Sequence, residues 1–194
     1  MHTVIDNAVS AGLLRAVAAT WPRDDWPYWH KYDNADSQKL ASKDAHRLPD
    51  AAKLVIAEMA KLDVSEFCGD CFPDLDLHGA GLHSIPPEGH LGLHLDGAIH
   101  PLTDWRRECN AVLFVDDWWD GWGGGLQFWD ATGHSLVETV LPARNRLVLF
   151  ATGDHAWHRV SHVAGPKPRR TISLFWWSLA TTEATRDRAE FRDY

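Results

Sequence analysis

With 194 residues, 45% of them hydrophobic and 24% charged, the chain can bury an ordinary single-domain core, and three cysteines are too few for a disulfide-built scaffold. Its formal net charge of −8 repels phosphate backbones and anionic membrane surfaces, which argues against nucleic acid and lipid as partners. Eleven tryptophans exceed average usage and need packing partners or a ligand.

The N-terminal stretch MHTVIDNAVSAGLLRAVAATW has neither a basic leader nor an unbroken apolar run, and no later segment approaches the roughly 20 apolar residues of a membrane span. A cytoplasmic protein is expected. Within DNAVSAGLLRAVAAT, Val9, Leu13, Leu14 and Val17 predict an amphipathic helix capped by Asp6 or Asn7. PDAAKLVIAEMAKL predicts a second helix, entered at Pro49 and Asp50. CGDC follows, at Cys68 to Cys71. With Cys109 as the odd thiol, no second CxxC and no thioredoxin-like context, it is read as neighbouring free thiols rather than half a zinc site or a redox pair.

From about residue 78 the pattern changes to short β-forming runs, NAVLFV, GLQFWD, NRLVLF, HRVSHV and TISLFWWSL, separated by Gly, Pro, Asn and Asp turns. Strands after helices predict a mostly β fold, a sandwich or jelly roll with helices packed on one sheet. The expected organisation is a single domain over 1–194: a helical support region at 1–77, a jelly-roll core at 78–180 and a polar tail at 181–194.

Three histidines and an aspartate fall within HLGLHLDGAIH, residues 90–100. On a strand His94 and Asp96 project from one face, so an imidazole and a carboxylate converge. That pair is common by chance; a third ligand gives it weight. The candidate is His158 in AWHRV, just before the last predicted strand, because a jelly roll brings distant strands together. Two histidines and a carboxylate form the facial set of non-haem Fe(II) oxygenases, with positions left open. Zinc hydrolysis on the same ligands is also chemically allowed. Of the rival histidines, His100 is expected on the pocket rim or in solvent and His155 facing away, with His90 and His162 also close in sequence.

In PRRTISLFWW, strand alternation sends Arg169, Thr171 and Ser173 to one face and Arg170, Ile172, Leu174 and Trp176 to the other. The second set suits a face packed on helices. The first suits a polar pocket, where a buried arginine requires an anion. Doubly positive iron, one aspartate and a dicarboxylate dianion leave one negative charge for Arg169 to cancel, and a planar guanidinium suits a carboxylate gripped by two prongs. 2-Oxoglutarate meets that description. A register shift of one residue would turn Arg170 inward instead; the apolar set that travels with Arg170 favours Arg169.

Taken in order, HLD, NAVLFVDDWWDGWGGGLQFWD, NRLVLF, WHRV and RRTISLFWW, over roughly residues 78–178, resemble the Fe(II)- and 2-oxoglutarate-dependent dioxygenase superfamily in its prolyl-hydroxylase-like branch. The resemblance implies a double-stranded β-helix, iron on His94, Asp96 and His158, and 2-oxoglutarate on Arg169 and the hydroxyl of Thr171. It further implies O2 as cosubstrate, ascorbate as an optional reductant, and hydroxylation of an unactivated C–H bond with release of succinate and CO2. Such chemistry needs no general base, so the absence of a Ser/His/Asp or paired-carboxylate set is consistent. Relatives often carry a tyrosine on the strand before HxD; GLHSIPPEG offers only His83 or Ser84.

The resemblance favours a peptidyl or free amino-acid substrate, proline first, with a small-metabolite hydroxylase as the alternative enzyme. From another class, a cupin-like metal-binding or sensing module would lack turnover; a dicarboxylate anchor argues against it. Nucleic-acid demethylation is disfavoured by the acidic charge and by Phe175 and Trp176, where a second arginine is expected. DDWWDGWGGG reads as a hairpin packed on the barrel edge; the functional alternative is an aromatic lid of Trp118, Trp119 or Trp122, with Asp116, Asp117 and Asp120 drawing a cation. The tail TTEATRDRAEFRDY reads as a solvated helix or frayed end without chemistry, and the oligomeric state is left open.

Overall fold

The run RRTISLFWWS forms the longest strand of the protein, and the rest is arranged around it. The computed structural model describes residues 1–179 and 186–192. Among them, the elements in order are β1 (His2–Asp6), α1 (Ala11–Ala19), β2 (Trp29–Asp33), β3 (Gln38–Ser42), α2 (Asp50–Met59), β4 (Cys71–Pro73), β5 (Gly81–Ile85), β6 (Leu91–Leu95), β7 (Arg106–Phe114), β8 (Leu126–Trp129), β9 (Leu136–Val140), β10 (Arg146–Ala151), β11 (His158–Val160), β12 (Arg169–Ser178) and β13 (Glu190–Phe191). They build two antiparallel sheets. The larger follows the path β1-β10-β7-β12-β5-β3-β2, with β4 also paired to β12; the smaller runs β13-β6-β11-β8-β9.

Each face of β12 has its own partner, because successive side chains alternate across a strand. Ile172, Leu174 and Trp176 join Leu82, Ala111, Leu113, Leu147 and Leu149 on the outer face of the larger sheet. The helices close over that face with Leu14 and Val17 of α1 and Ala52, Val55, Ile56 and Met59 of α2. Between the sheets, Ile85, Phe114, Val148 and Phe150 of the larger one pack against Leu126 and Val160 of the smaller. This second core stops short at one end, where polar residues replace apolar ones and a cavity opens.

The N-terminal region is less purely helical than its composition suggests. Residues 1–77 carry both expected helices but also β1, β2, β3 and β4, which extend the larger sheet. The cap of α1 is Ser10, whose hydroxyl accepts the N–H of Leu13. Asp6 instead ends β1 paired with Arg146, and Asn7 turns the chain at φ 57°. Strand pairing outcompetes helix extension there, because β1 has the edge of β10 to add to.

The cysteines also differ from expectation. Cys68 and Cys71 are bridged, their Cα atoms 6.0 Å apart at the turn into β4, within the span a disulfide requires. Cys109 is the free, buried thiol, pushed by burial and then by Glu108 up to about 12. Among the described residues, no helix is long and apolar enough to cross a membrane.

Candidate active site

The register of the smaller sheet brings the sequence-distant histidines together. His158 on β11 sits directly opposite His94 on β6, and cross-strand partners share a face; their rings are 4.3 Å apart. Asp96 lies just past the end of β6. Its two oxygens reach one histidine each, Oδ1 to His94 Nε2 and Oδ2 to His158 Nε2, both at 3.6 Å. The three side chains can converge on one ion.

The other ring nitrogens fix the tautomers. His94 Nδ1 donates to the Gly92 carbonyl at 2.8 Å and His158 Nδ1 to the Ala156 carbonyl at 2.9 Å, which turns both Nε2 lone pairs inward, the arrangement a metal-binding imidazole requires. Burial, and then the neighbouring His94, lower His158 to about 4, so the ring is neutral at physiological pH. Burial alone would raise Asp96, but the neighbouring His158, the Arg107 guanidinium and His94 together hold it well below the usual carboxylate range.

Two further groups position the carboxylate. Arg107 Nη1 lies 3.3 Å from Asp96 Oδ1, its guanidinium 4.0 Å over the Phe175 ring. Asn110 donates from Nδ2 to Asp96 Oδ2 at 2.7 Å. On a regular strand residues 107 and 110 would face opposite ways. A bulge opposite Trp176 and Trp177 shifts the register of β7, and the inserted residue restores a common face.

Across the cavity, β12 presents Arg169, Thr171, Ser173 and Phe175, while β5 adds His83 and Ile85. Arg169 is only 3% exposed. Among the described residues it makes one hydrogen bond, from Nε to the Gly124 carbonyl at 2.7 Å, and no carboxylate pairs with it. Burial lowers its guanidinium to about 9. Arg170 points the other way, forks onto both oxygens of Asp116 and stacks on Trp21. The cavity is about 240 Å³, with Lys39 and the 187–189 segment also lining it.

A family model described as "2OG-Fe(II) oxygenase superfamily" matches residues 80–177. The chain belongs to that superfamily. This oxygenase is therefore an Fe(II)- and 2-oxoglutarate-dependent dioxygenase, and the residues fit both groups: three inward lone pairs for a cation, and a buried guanidinium with no carboxylate partner among the described residues for an anion. Its fold is similar to a Pseudomonas putida prolyl-4-hydroxylase, with a TM-score of 0.62 at 22% identity over 91% of this chain and 90% of that one. It is also similar to a Trichoplax adhaerens prolyl hydroxylase solved with a hypoxia inducible factor peptide fragment, TM-score 0.61 at 14% identity, covering 91% and 83%. A viral collagen prolyl hydroxylase from Paramecium Bursaria Chlorella virus-1, solved as a 2OG complex, gives 0.60 at 12%, covering 92% and 96%. No curated protein matches the sequence.

The rival histidines of the oxygenase sort themselves by location. His155 is exposed, His162 is exposed and pairs with Glu88, and His90 hydrogen-bonds the Ala35 carbonyl. His100 departs from expectation: it is buried at 4% exposure, held under Trp105 and Trp177 rather than on a rim. His83, not Ser84, faces the cavity, and burial lowers it to about 3. Trp118 binds the Gly123 carbonyl through its indole N–H and packs edge-on to Trp122. None of Trp118, Trp119 and Trp122 lines the cavity. Asp116 and Asp117 are engaged by Arg170 and Arg144, so the loop serves the frame.

The described part of the tail is neither a solvated helix nor a frayed end; residues 180–185 and 193–194 lie outside the described residues. Glu190 and Phe191 form β13 against β6, with Phe191 opposite His94 and its ring stacked 5.1 Å away. Arg186 donates from Nε to the Asp96 carbonyl at 2.7 Å. A polar composition hid this role, because two residues of backbone pairing leave no hydrophobic period to read.

Asn110 offers a first test of how Asp96 is held. Asn110→Ala removes one outer hydrogen bond to that carboxylate, and partners of this kind are typically worth 10–100-fold in metal affinity. A fall of about 10-fold in Fe(II) affinity, measured by anaerobic titration, is expected with the melting temperature little changed.

Proposed function

We propose that the oxygenase holds iron through His94, Asp96 and His158, anchors the distal carboxylate of 2-oxoglutarate on Arg169 and Thr171, and hydroxylates a small side chain. Proline is the first candidate, peptidyl or free, on a double-stranded β-helix frame. The single observation that carries this reading is the buried Arg169 guanidinium, without a carboxylate partner among the described residues and in the same cavity as the triad. A charge kept out of water is tolerated when a counter-ion completes it. When bound, iron and 2-oxoglutarate supply the oxidative decarboxylation to succinate and CO2 that drives hydroxylation.

The chain's own residues do the positioning. Gly92 and Ala156 carbonyls hold the imidazoles in one tautomer, Arg107 and Asn110 hold the Asp96 carboxylate, and Phe150 and Ile85 keep water from the inner end. Once a dicarboxylate occupies the Arg169 end, a cavity of about 240 Å³ leaves room for one small side chain. The prolyl-hydroxylase neighbours supply proline as the candidate of first choice.

A second reading, a free small metabolite with its own carboxylate, is favoured by Lys39. Its ammonium lines the cavity, burial lowers it to about 8, and no carboxylate forms an ion pair with it among the described residues. It remains charged at neutral pH and suits a substrate carboxylate or a peptide carbonyl.

The test starts with Fe(II) and 2-oxoglutarate added anaerobically, following the visible band of the bound cosubstrate. Oxygen is then admitted with prolyl peptides or free amino acids, and succinate and oxygen insertion are measured by mass spectrometry. Insertion into proline supports the proposal, and insertion only into another class of molecule replaces the substrate assignment. A band that never yields succinate with any candidate overturns turnover in favour of a binding module.

A further inference from the structure

A second group of ligand-type side chains sits away from the cavity, between the β4–β5 and β6–β7 connections. His78 Nδ1 lies 3.0 Å from Asp74 Oδ2 and 3.0 Å from His100 Nε2, and His100 Nε2 lies 3.4 Å from the same Asp74 oxygen. Asp74 and His100 are buried, and His78 is a quarter exposed. The backbone pins all three residues: Asp74 N–H donates to the Phe175 carbonyl of β12, His78 N–H to Asp74 Oδ2, and His100 N–H to the Trp105 carbonyl.

Protons cannot satisfy this triangle. The Leu102 N–H donates to His100 Nδ1, so in the neutral ring the proton is on Nε2, aimed into the group. If His78 Nδ1 also carries a proton, for Asp74, two N–H groups face each other across 3.0 Å. If it does not, its lone pair faces a carboxylate oxygen at the same distance. Either assignment leaves one contact repulsive, in a place where burial amplifies the cost.

A divalent cation removes the conflict, since all three atoms then offer lone pairs. The centre of a triangle with these sides is about 1.8 Å from each corner, so an ion bound at roughly 2.0–2.2 Å sits just above its face. We propose that Asp74, His78 and His100 form a second divalent-cation site of the zinc class, distinct from the triad of the cavity. Two imidazoles and one carboxylate without a thiolate suit zinc. The aromatic shell of Trp105 and Trp177 excludes water on one side, while His78 lines a groove with Asp44, His46 and Asp76, from which water completes the coordination. The bound ion ties the connection after β4 to the one after β6. It braces Gly79 at the cavity wall and the segment that follows Asp96.

The test uses the full chain with the cavity triad disabled by His94→Ala and His158→Ala, titrated with Co(II) and Zn(II). One equivalent should still bind, with visible Co(II) absorption and a melting temperature that rises with zinc; the unaltered chain should take two. Adding Asp74→Asn and His100→Gln should abolish that equivalent. Should those buried changes unfold the chain, His78→Gln, at the quarter-exposed ligand, should weaken binding by at least about 10-fold. No cobalt or zinc bound to the triad-disabled chain, or binding indifferent to His78→Gln, overturns the proposal.

Discussion

His158→Ala is expected to abolish succinate production and to weaken Fe(II) binding by at least about 100-fold. That is the upper end of what losing a mere outer-shell partner costs, and here the lost atom faces the ion itself. The chain should still fold. In the metal-free protein His158 is a neutral, buried ring whose Nδ1–H donates to the Ala156 carbonyl, and its removal leaves the Asp96 carboxylate still held by Arg107 and Asn110. A pH dependence separates the chemical role from a structural one. Burial places the folded-state value at about 4 against 6.5 for the free side chain, so as pH falls through 6.5 the unfolded chain takes up a proton that the folded chain refuses. Metal-free stability therefore declines from pH 6.5 to about 4, and His158→Ala should flatten that part of the decline. Anaerobic iron titration and thermal melts across this window check both outcomes.

Arg169→Leu should raise the KM for 2-oxoglutarate on the order of 100-fold or more, since breaking a buried, charge-assisted pair typically costs about 3–5 kcal/mol. The same change should stabilise the chain in the absence of cosubstrate, by roughly 1–4 kcal/mol, because it deletes a cation held out of water without a counter-ion among the described residues. The sign follows from burial: the folded-state value of about 9 lies below the free value of 12.5, so below pH 9 the folded state bears the whole cost of the charge. The two effects cross. Added 2-oxoglutarate should raise the melting temperature of the parent and leave that of Arg169→Leu unmoved. A variant that melts lower and still binds 2-oxoglutarate would instead assign Arg169 to structure.

What could be read in the sequence was whatever leaves a period or a charge conflict behind. RRTISLFWW alternates cleanly, so the inward set of Arg169, Thr171 and Ser173 and the outward set of Ile172, Leu174 and Trp176 follow from strand geometry alone. The meeting of His94 with His158 needed the expectation of a fold that pairs their strands. Arg107 and Asn110 escaped because their common face depends on a bulge, and a single inserted residue has no signature in the sequence RRECNAVLF. β13 escaped because it is two residues long. The pairing of His100 with Asp74 and His78 escaped for a different reason. The place of His100 just past Asp96 points in the sequence to the rim or solvent, whereas the chain folds back beneath Trp105 and Trp177.

The position of β6 between β11 and β13 has a bearing on biosynthesis. Until residues 190 and 191 have left the ribosome, the strand carrying His94 keeps one bare side, and such a side invites pairing with other chains. The nascent polypeptide thus passes through a vulnerable interval that closes only when residues 190 and 191 pair with β6. Chains cut before residue 190 should yield aggregates seeded at Leu91–Leu95.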